Sequence, residues 1–138
     1  MRIYISGPLQ GSSDLVRARH LYESIAKTLE SAGHEPYAPH LHTDPEHGAN
    51  ASAETVFHTD LHQLLGADVI VAHIGEPSTG VGAELAIASQ EKKRIIAVQR
   101  TTEKASRFAL GLILAAGGSV VEFDDDTDAG DRVLSVLG

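Results

Sequence analysis

The sequence contains no cysteine. That removes disulfides, thiolate metal sites and a thiol nucleophile together, and it fits a reducing cytoplasm. Tryptophan is also absent, and there are only three Phe and three Tyr, so stacking platforms for single-stranded nucleic acid are few. Cations are scarce: Lys and Arg number 11 against 19 Asp and Glu, a formal charge of −8. Such a surface repels a polyanion, which speaks against a nucleic-acid polymer as partner. A small phosphorylated ligand stays open, because backbone N–H groups hold phosphate without net positive charge. No apolar run approaches the roughly 18 residues needed to span a bilayer, and the apolar stretch at the N-terminus is too short for a signal peptide.

What is present is enough for one packed core: 138 residues, of which 42% are hydrophobic. Residues 1–138 read as a single domain, without repeat or linker. Arg2 to Ser6 reads as a strand that stops at Gly7-Pro8. Leu15, Ala18, Leu21, Tyr22, Ile25, Ala26 and Leu29 then recur at helical spacing, with Ser12, Ser13 or Asp14 as the cap and Gly33 as the stop. Glu35 to Ala38 is a weak strand, His40 to Ser52 a polar loop and Glu54 to Leu65 a second helix. Asp68 to Ile74 is the strongest strand, apolar enough to be covered on both faces. A turn-rich loop from Gly75 to Gly82 leads to a third helix over Ala83 to Gln90. Ile95 to Val98, Ser106 to Ala116, Ser119 to Phe123 and Asp131 to Leu137 read as strand, helix, strand and helix. This alternation predicts a doubly wound α/β fold, a mostly parallel five-stranded sheet with helices on both faces. Ligands of such sheets bind beyond the carboxyl ends of the strands.

Two glycine-bearing turns fall at that end, Gly7-Pro8-Leu9-Gln10-Gly11 and Ser78-Thr79-Gly80-Val81-Gly82. The second precedes a helix, whose free N–H groups attract anions. It lacks the Gly-Lys-Ser/Thr of a P-loop and the Gly-x-Gly-x-x-Gly of a dinucleotide site. Glu84 follows it, in the expected first turn of the third helix. By spacing alone, Glu84 is equally a favourable charge at a helix start. Asp60 is a second carboxylate on an otherwise apolar-faced helix, ordinarily a solvated position. If the two meet, one attacks or stabilises an oxocarbenium-like carbon while the other moves a proton to the leaving group. Tyr4 lies near the end of the first strand, where a half-buried core Tyr is the plain reading. His40, His42 and His47 match no zinc spacing, and loop solvation explains His42 and His47 better. Asp124 to Asp128 lacks the Gly and distal Glu of a calcium loop and reads as a solvated turn. No metal and no cofactor is expected.

Ile3 to Gly11, Thr59-Asp60-Leu61, Ala67 to Ala72 and Glu76 to Leu85 follow one another in an order that resembles the nucleoside 2-deoxyribosyltransferase superfamily. Within it the chain is most similar to 2'-deoxynucleoside 5'-phosphate N-hydrolases, over nearly its whole length. Ser78-Thr79-Gly80-Val81-Gly82-Ala83-Glu84 is the most specific stretch. The resemblance implies Glu84 as nucleophile at the anomeric carbon, Asp60 orienting the sugar or nucleophile and assisting proton transfer, and Tyr4 positioning Glu84. It implies Ser78, Gly80 and Gly82 around a 5'-phosphate. Gly7, Leu9, Gln10, Gly11 and His40 would line the rest of the substrate site. It further implies a homodimer in which Ser106 of the neighbouring subunit completes the phosphate site. Gln10 stands where such hydrolases often carry an Arg, with Arg17 as a possible substitute, and Ala83 replaces a larger aromatic residue.

The activity so implied is hydrolysis of (2'-deoxy)nucleoside 5'-monophosphates through a covalent glycosyl-Glu84 ester. Base exchange, a CMP-type ribonucleotide N-glycosidase and a non-catalytic nucleotide sensor are the alternatives. A sensor needs no nucleophile, so Tyr4, Asp60 and Glu84 together weigh against it. A flavodoxin-like redox protein is disfavoured by the absence of Trp and by the carboxylate at the phosphate turn.

Overall fold

The computed structural model describes residues 1–9, 12–42 and 50–138. Along the chain run β1 (Arg2–Ser6), α1 (Leu15–Ser31), β2 (Glu35–Tyr37), α2 (Ala53–Gly66), β3 (Val69–His73), α3 (Thr79–Gln90), β4 (Arg94–Arg100), α4 (Arg107–Ala115), β5 (Ser119–Phe123) and α5 (Ala129–Leu137), with 3-10 turns at Pro39–Leu41 and Asp126–Asp128. The strands form one sheet in the order β2-β1-β3-β4-β5, and every pairing is parallel. The order reverses between β1 and β3, which places the ligand crevice of a doubly wound sheet above their carboxyl ends.

Period-two alternation divides the core into two layers. Ile3, Ile5, Val69, Val71, Ile96, Val98, Val121 and Phe123 face α1 and α5. Tyr4, Ile70, Ala72, Ile95 and Ala97 face the opposite side, against Leu64 of α2, Leu85 and Ala88 of α3 and Ile113 of α4. All of β3 is buried, as an apolar strand covered on both faces must be. Among the described residues no helix is long and apolar enough to cross a membrane.

The expected elements are all present, with differences that have local causes. Asp14 is the cap of α1, accepting from the Arg17 N–H at 3.0 Å. β2 stops at Tyr37, before a 3-10 turn nucleated by Pro39. α3 begins at Thr79 rather than Ala83. The Ser78 hydroxyl accepts from the Val81 N–H at 3.2 Å and its carbonyl from the Gly82 N–H at 3.1 Å. That cap, with the burial of Val81, Leu85 and Ala88, offsets the helix cost of two glycines, about 1 kcal/mol each. Glu84 therefore stands in the second helical turn and not the first. The acidic run near the C-terminus is also more than a solvated turn. Both Asp126 carboxylate oxygens accept from Arg100, at 2.8 Å each, and Arg17 approaches the same group at 3.2 Å.

Candidate active site

Alternation along β1 points Tyr4 and Ser6 to the side of α2 and α3, away from Ile3 and Ile5. Tyr4 is fully buried and Ser6 is 1% exposed. Both hydroxyls reach the Glu84 side chain, which hangs from α3 over the end of β1. Tyr4 donates to Oε2, and Ser6 donates to Oε1 at 2.9 Å. Each oxygen of one carboxylate thus holds a fixed donor, which sets its direction over the crevice. Burial pushes the Glu84 carboxyl above the usual carboxylate range; the Tyr4 and Ser6 hydrogen bonds pull it back, and the Asp60 charge adds to the rise. Burial, then the charge of Glu84, drive the Tyr4 hydroxyl well above its ordinary value, so it stays a proton donor.

Asp60 lies close enough for its charge to act on both Glu84 and Tyr4. Asp60 projects half-buried from α2, and its Oδ1 accepts from the Tyr37 hydroxyl at 3.2 Å. Tyr37 sits beside Tyr4 in the parallel register, and their rings stack at 5.7 Å. Ser6 and Tyr37 were not among the residues singled out in the sequence. Ser6 could have been found from Tyr4, because two residues along a strand share a face. Tyr37 needed the strand order, since β2 is short and weakly patterned.

Ser78 caps α3 in extended conformation, and Gly80 and Gly82 lie within the first turns of the helix rather than in a loop. The Gly82 N–H is committed to the Ser78 carbonyl, so what Gly82 offers is space: no atom lies within 4 Å of where a Cβ would stand. Ser78, Gly82 and Ser106 line one cavity of about 510 Å³ between α3 and α4. Ser106 caps α4, accepting from the Ala109 N–H at 3.3 Å. Phe108, the second residue of α4, is 86% exposed.

On the other side of β1, Gly7 makes room for Tyr22. A Cβ on Gly7 would lie 2.2 Å from the Tyr22 ring, so any larger residue here would displace that ring. The Tyr22 hydroxyl lies 3.1 Å from the Pro8 carbonyl, to which it donates, and 3.1 Å from His73 Nδ1. Leu9 packs partly buried against the core. His73 Nε2 faces the Glu103 carboxylate at 3.1 Å, and Arg100 links Glu103 to Asp126. Burial opposes the Glu103 charge, but the Arg100 backbone N–H, His73 and the Arg100 guanidinium outweigh it and hold the carboxyl below its usual range. Arg17, the candidate replacement for a loop Arg, is engaged with Asp126. His40 is 2% exposed, tilted against the Tyr22 ring, with Nε2 3.6 Å from Glu23. His42 stacks on Tyr37 at 4.9 Å. Gln10, Gly11 and His47 lie outside the described residues. Among the described residues no three His, Asp or Glu side chains converge as a metal site.

Comparison with known proteins shows the family and the fold. The family model described as nucleoside 2-deoxyribosyltransferase matches residues 3–130. A 5-hydroxymethyl-dUMP N-hydrolase from Esox lucius is 32% identical over 116 residues, spanning 80% of this chain and 77% of its own. The 5-hydroxymethyl-dUMP N-hydrolase of Danio rerio is 34% identical over 104 residues, spanning 72% of this chain and 69% of its own. Among solved structures, a 2-deoxyribosyltransferase from Bacillus psychrosaccharolyticus shares the fold, with a TM-score of 0.70 at 22% identity over 99% of this chain and 96% of that one. With most of the chain matched and the fold shared, the protein belongs to the nucleoside 2-deoxyribosyltransferase family.

Proposed function

We propose that the chain is an N-glycosidase that splits (2'-deoxy)nucleoside 5'-monophosphates into free base and (deoxy)ribose 5-phosphate. The observation that carries this is the Glu84 carboxylate, held at both oxygens by Tyr4 and Ser6. A structural carboxylate has no need to be desolvated and aimed across the strand ends; a nucleophile does. The N-hydrolase names of the relatives support the reaction class.

In the first step a Glu84 oxygen attacks C1', the C1'–N bond breaks, and its electron pair leaves with the base. Asp60 delivers a proton to the departing base. In the second step water attacks C1', Asp60 takes the water proton, and the ester bond to Glu84 breaks. Two displacements give net retention. Tyr4 and Ser6 keep the carboxylate aimed throughout and stabilise its charge before attack and after release.

The 5'-phosphate is assigned to the start of α3, where the Ser78 hydroxyl and the first backbone amides meet the positive end of the helix. Gly80 and Gly82 leave the approach free of side chains. Gln10 and Gly11 are proposed to contact the same substrate. Gly7 and Leu9 border the sugar, and His40 acts on that turn through Tyr22 rather than by touching the base. A second copy of the chain is proposed to cover the α3–α4 cavity, with the exposed Phe108 ring as its apolar anchor and Ser106 reaching the partner's phosphate.

A panel of ribo- and deoxyribonucleoside monophosphates and the matching nucleosides tests the reading, with base release and exchange into a second base followed by chromatography. Release from deoxynucleoside monophosphates, abolished in Glu84→Gln, is expected. Exchange without hydrolysis would make the chain a transferase. Absence of both, or full activity in Glu84→Gln, would overturn the proposal.

A further inference from the structure

Tyr37 has no part in the reaction just described, yet it touches both halves of the site. Its ring stacks on Tyr4 at 5.7 Å on one side and lies almost parallel to His42 at 4.9 Å on the other. Its hydroxyl donates to Asp60 Oδ1 at 3.2 Å. Asp60 stands on a helix with few anchors. Leu64 is the one residue of α2 that is fully buried, so the sheet holds this helix through few contacts. Through its bond to Oδ1, Tyr37 gives this carboxylate a direction set from the sheet.

We propose that Tyr37 is a positioning residue for proton transfer to the leaving base, a role that rests on the reading of Asp60 as the proton donor. The Tyr37 O–H occupies Oδ1 as donor. When Asp60 is protonated, this bond favours the transferable proton on the other oxygen, Oδ2. The two rings flanking Tyr37 fix the angle of its hydroxyl, so the geometry of β2 is passed to the carboxyl group. This gives the sheet, through Tyr4 and Tyr37 on adjacent strands, control of both carboxylates: Glu84 through one tyrosine and Asp60 through the other.

A leaving-group series distinguishes this role from a structural one. The substrates are deoxynucleoside monophosphates whose bases differ in how much they need a proton to leave: uracil against 5-fluorouracil, and guanine against the cationic N7-methylguanine. Tyr37→Phe keeps the ring and removes the hydroxyl. Loss of one hydrogen bond to a charged group predicts a drop in kcat of about tenfold for uracil or guanine. The drop shrinks to within about twofold for 5-fluorouracil or N7-methylguanine, which leave with little proton transfer. KM stays level, and Asp60→Asn shows the same pattern with a larger loss. With an active parent, equal loss across the series, or no loss on the poor leaving groups, would overturn the role of Tyr37. A parent inactive on every member would overturn the glycosidase reading itself, and this inference with it.

Discussion

Replacing Tyr4 by Phe isolates what the hydroxyl on β1 does for Glu84. The ring is fully buried and stacked on Tyr37 at 5.7 Å, and Phe keeps both contacts. Only the bond to Glu84 Oε2 is lost. A hydrogen bond to an ionised partner contributes about 1.5–3 kcal/mol. That energy stabilises the charged carboxylate, the form that attacks. Burial already raises the Glu84 carboxyl, and the Tyr4 bond opposes that rise. Without it the group moves further up, and the acidic limb of the pH–rate profile moves to higher pH. On that limb, kcat/KM falls by about 10- to 150-fold, since each 1.4 kcal/mol is a factor of ten. On the alkaline plateau, where Glu84 is ionised in both proteins, only misorientation remains and the deficit narrows. The assay is base release from a deoxynucleoside monophosphate across pH, with a thermal melt beside it to confirm the fold. A limb that stays put, or a deficit uniform across pH, would refute the assignment of Tyr4 as the group that keeps Glu84 ionised.

Glu84→Gln should raise Tm at neutral pH, because the fold raises this carboxyl and ionised Glu84 opposes folding above that raised value. The gain should vanish as pH falls through it towards the ordinary carboxylate range; a gain independent of pH would contradict the desolvation. Gly7→Ala forces a Cβ to within 2.2 Å of the Tyr22 ring, and thermal melts should show about 1–3 kcal/mol of destabilisation. Arg100→Met should cost about 3 kcal/mol in denaturant titration, since it leaves Glu103 and Asp126 without their shared cation. Arg100 hydrogen bonds hold Asp126 below its usual range, and Glu103 is also lowered. The stability they supply is present above the ordinary carboxylate value and lost as pH falls through the lowered ones, so the Arg100→Met deficit should shrink in acid. Ser78→Ala should lower stability by about 1 kcal/mol through the lost cap and raise KM for nucleotides but not for nucleosides.

The parts of the fold legible in the sequence are those fixed by local periodicity. The apolar face of α1, the apolar run of β3 and the strand Ser119–Phe123 could be read directly. The start of α3 could not, because Gly80 and Gly82 carry loop propensity and only the Ser78 cap shows that they are helical. Glu84 consequently sits one turn further into the helix than the glycines predict. For the site, the motif gave Glu84, Asp60 and Tyr4 but not their geometry. Ser6 was within reach through alternation. Tyr37, and the His73–Glu103–Arg100–Asp126 chain, join residues from separate strands and loops, and no local spacing encodes such pairings.

The most direct test of the account is identification of the covalent intermediate. Rapid acid quench of the protein turning over a 2'-fluorinated deoxynucleoside monophosphate, whose electron-poor C1' slows both displacements, should trap it for peptide mass mapping. The account predicts one sugar 5-phosphate esterified to the peptide that carries Glu84, absent in Glu84→Gln. A sugar phosphate on any other residue, or inverted product with no adduct at all, would contradict it.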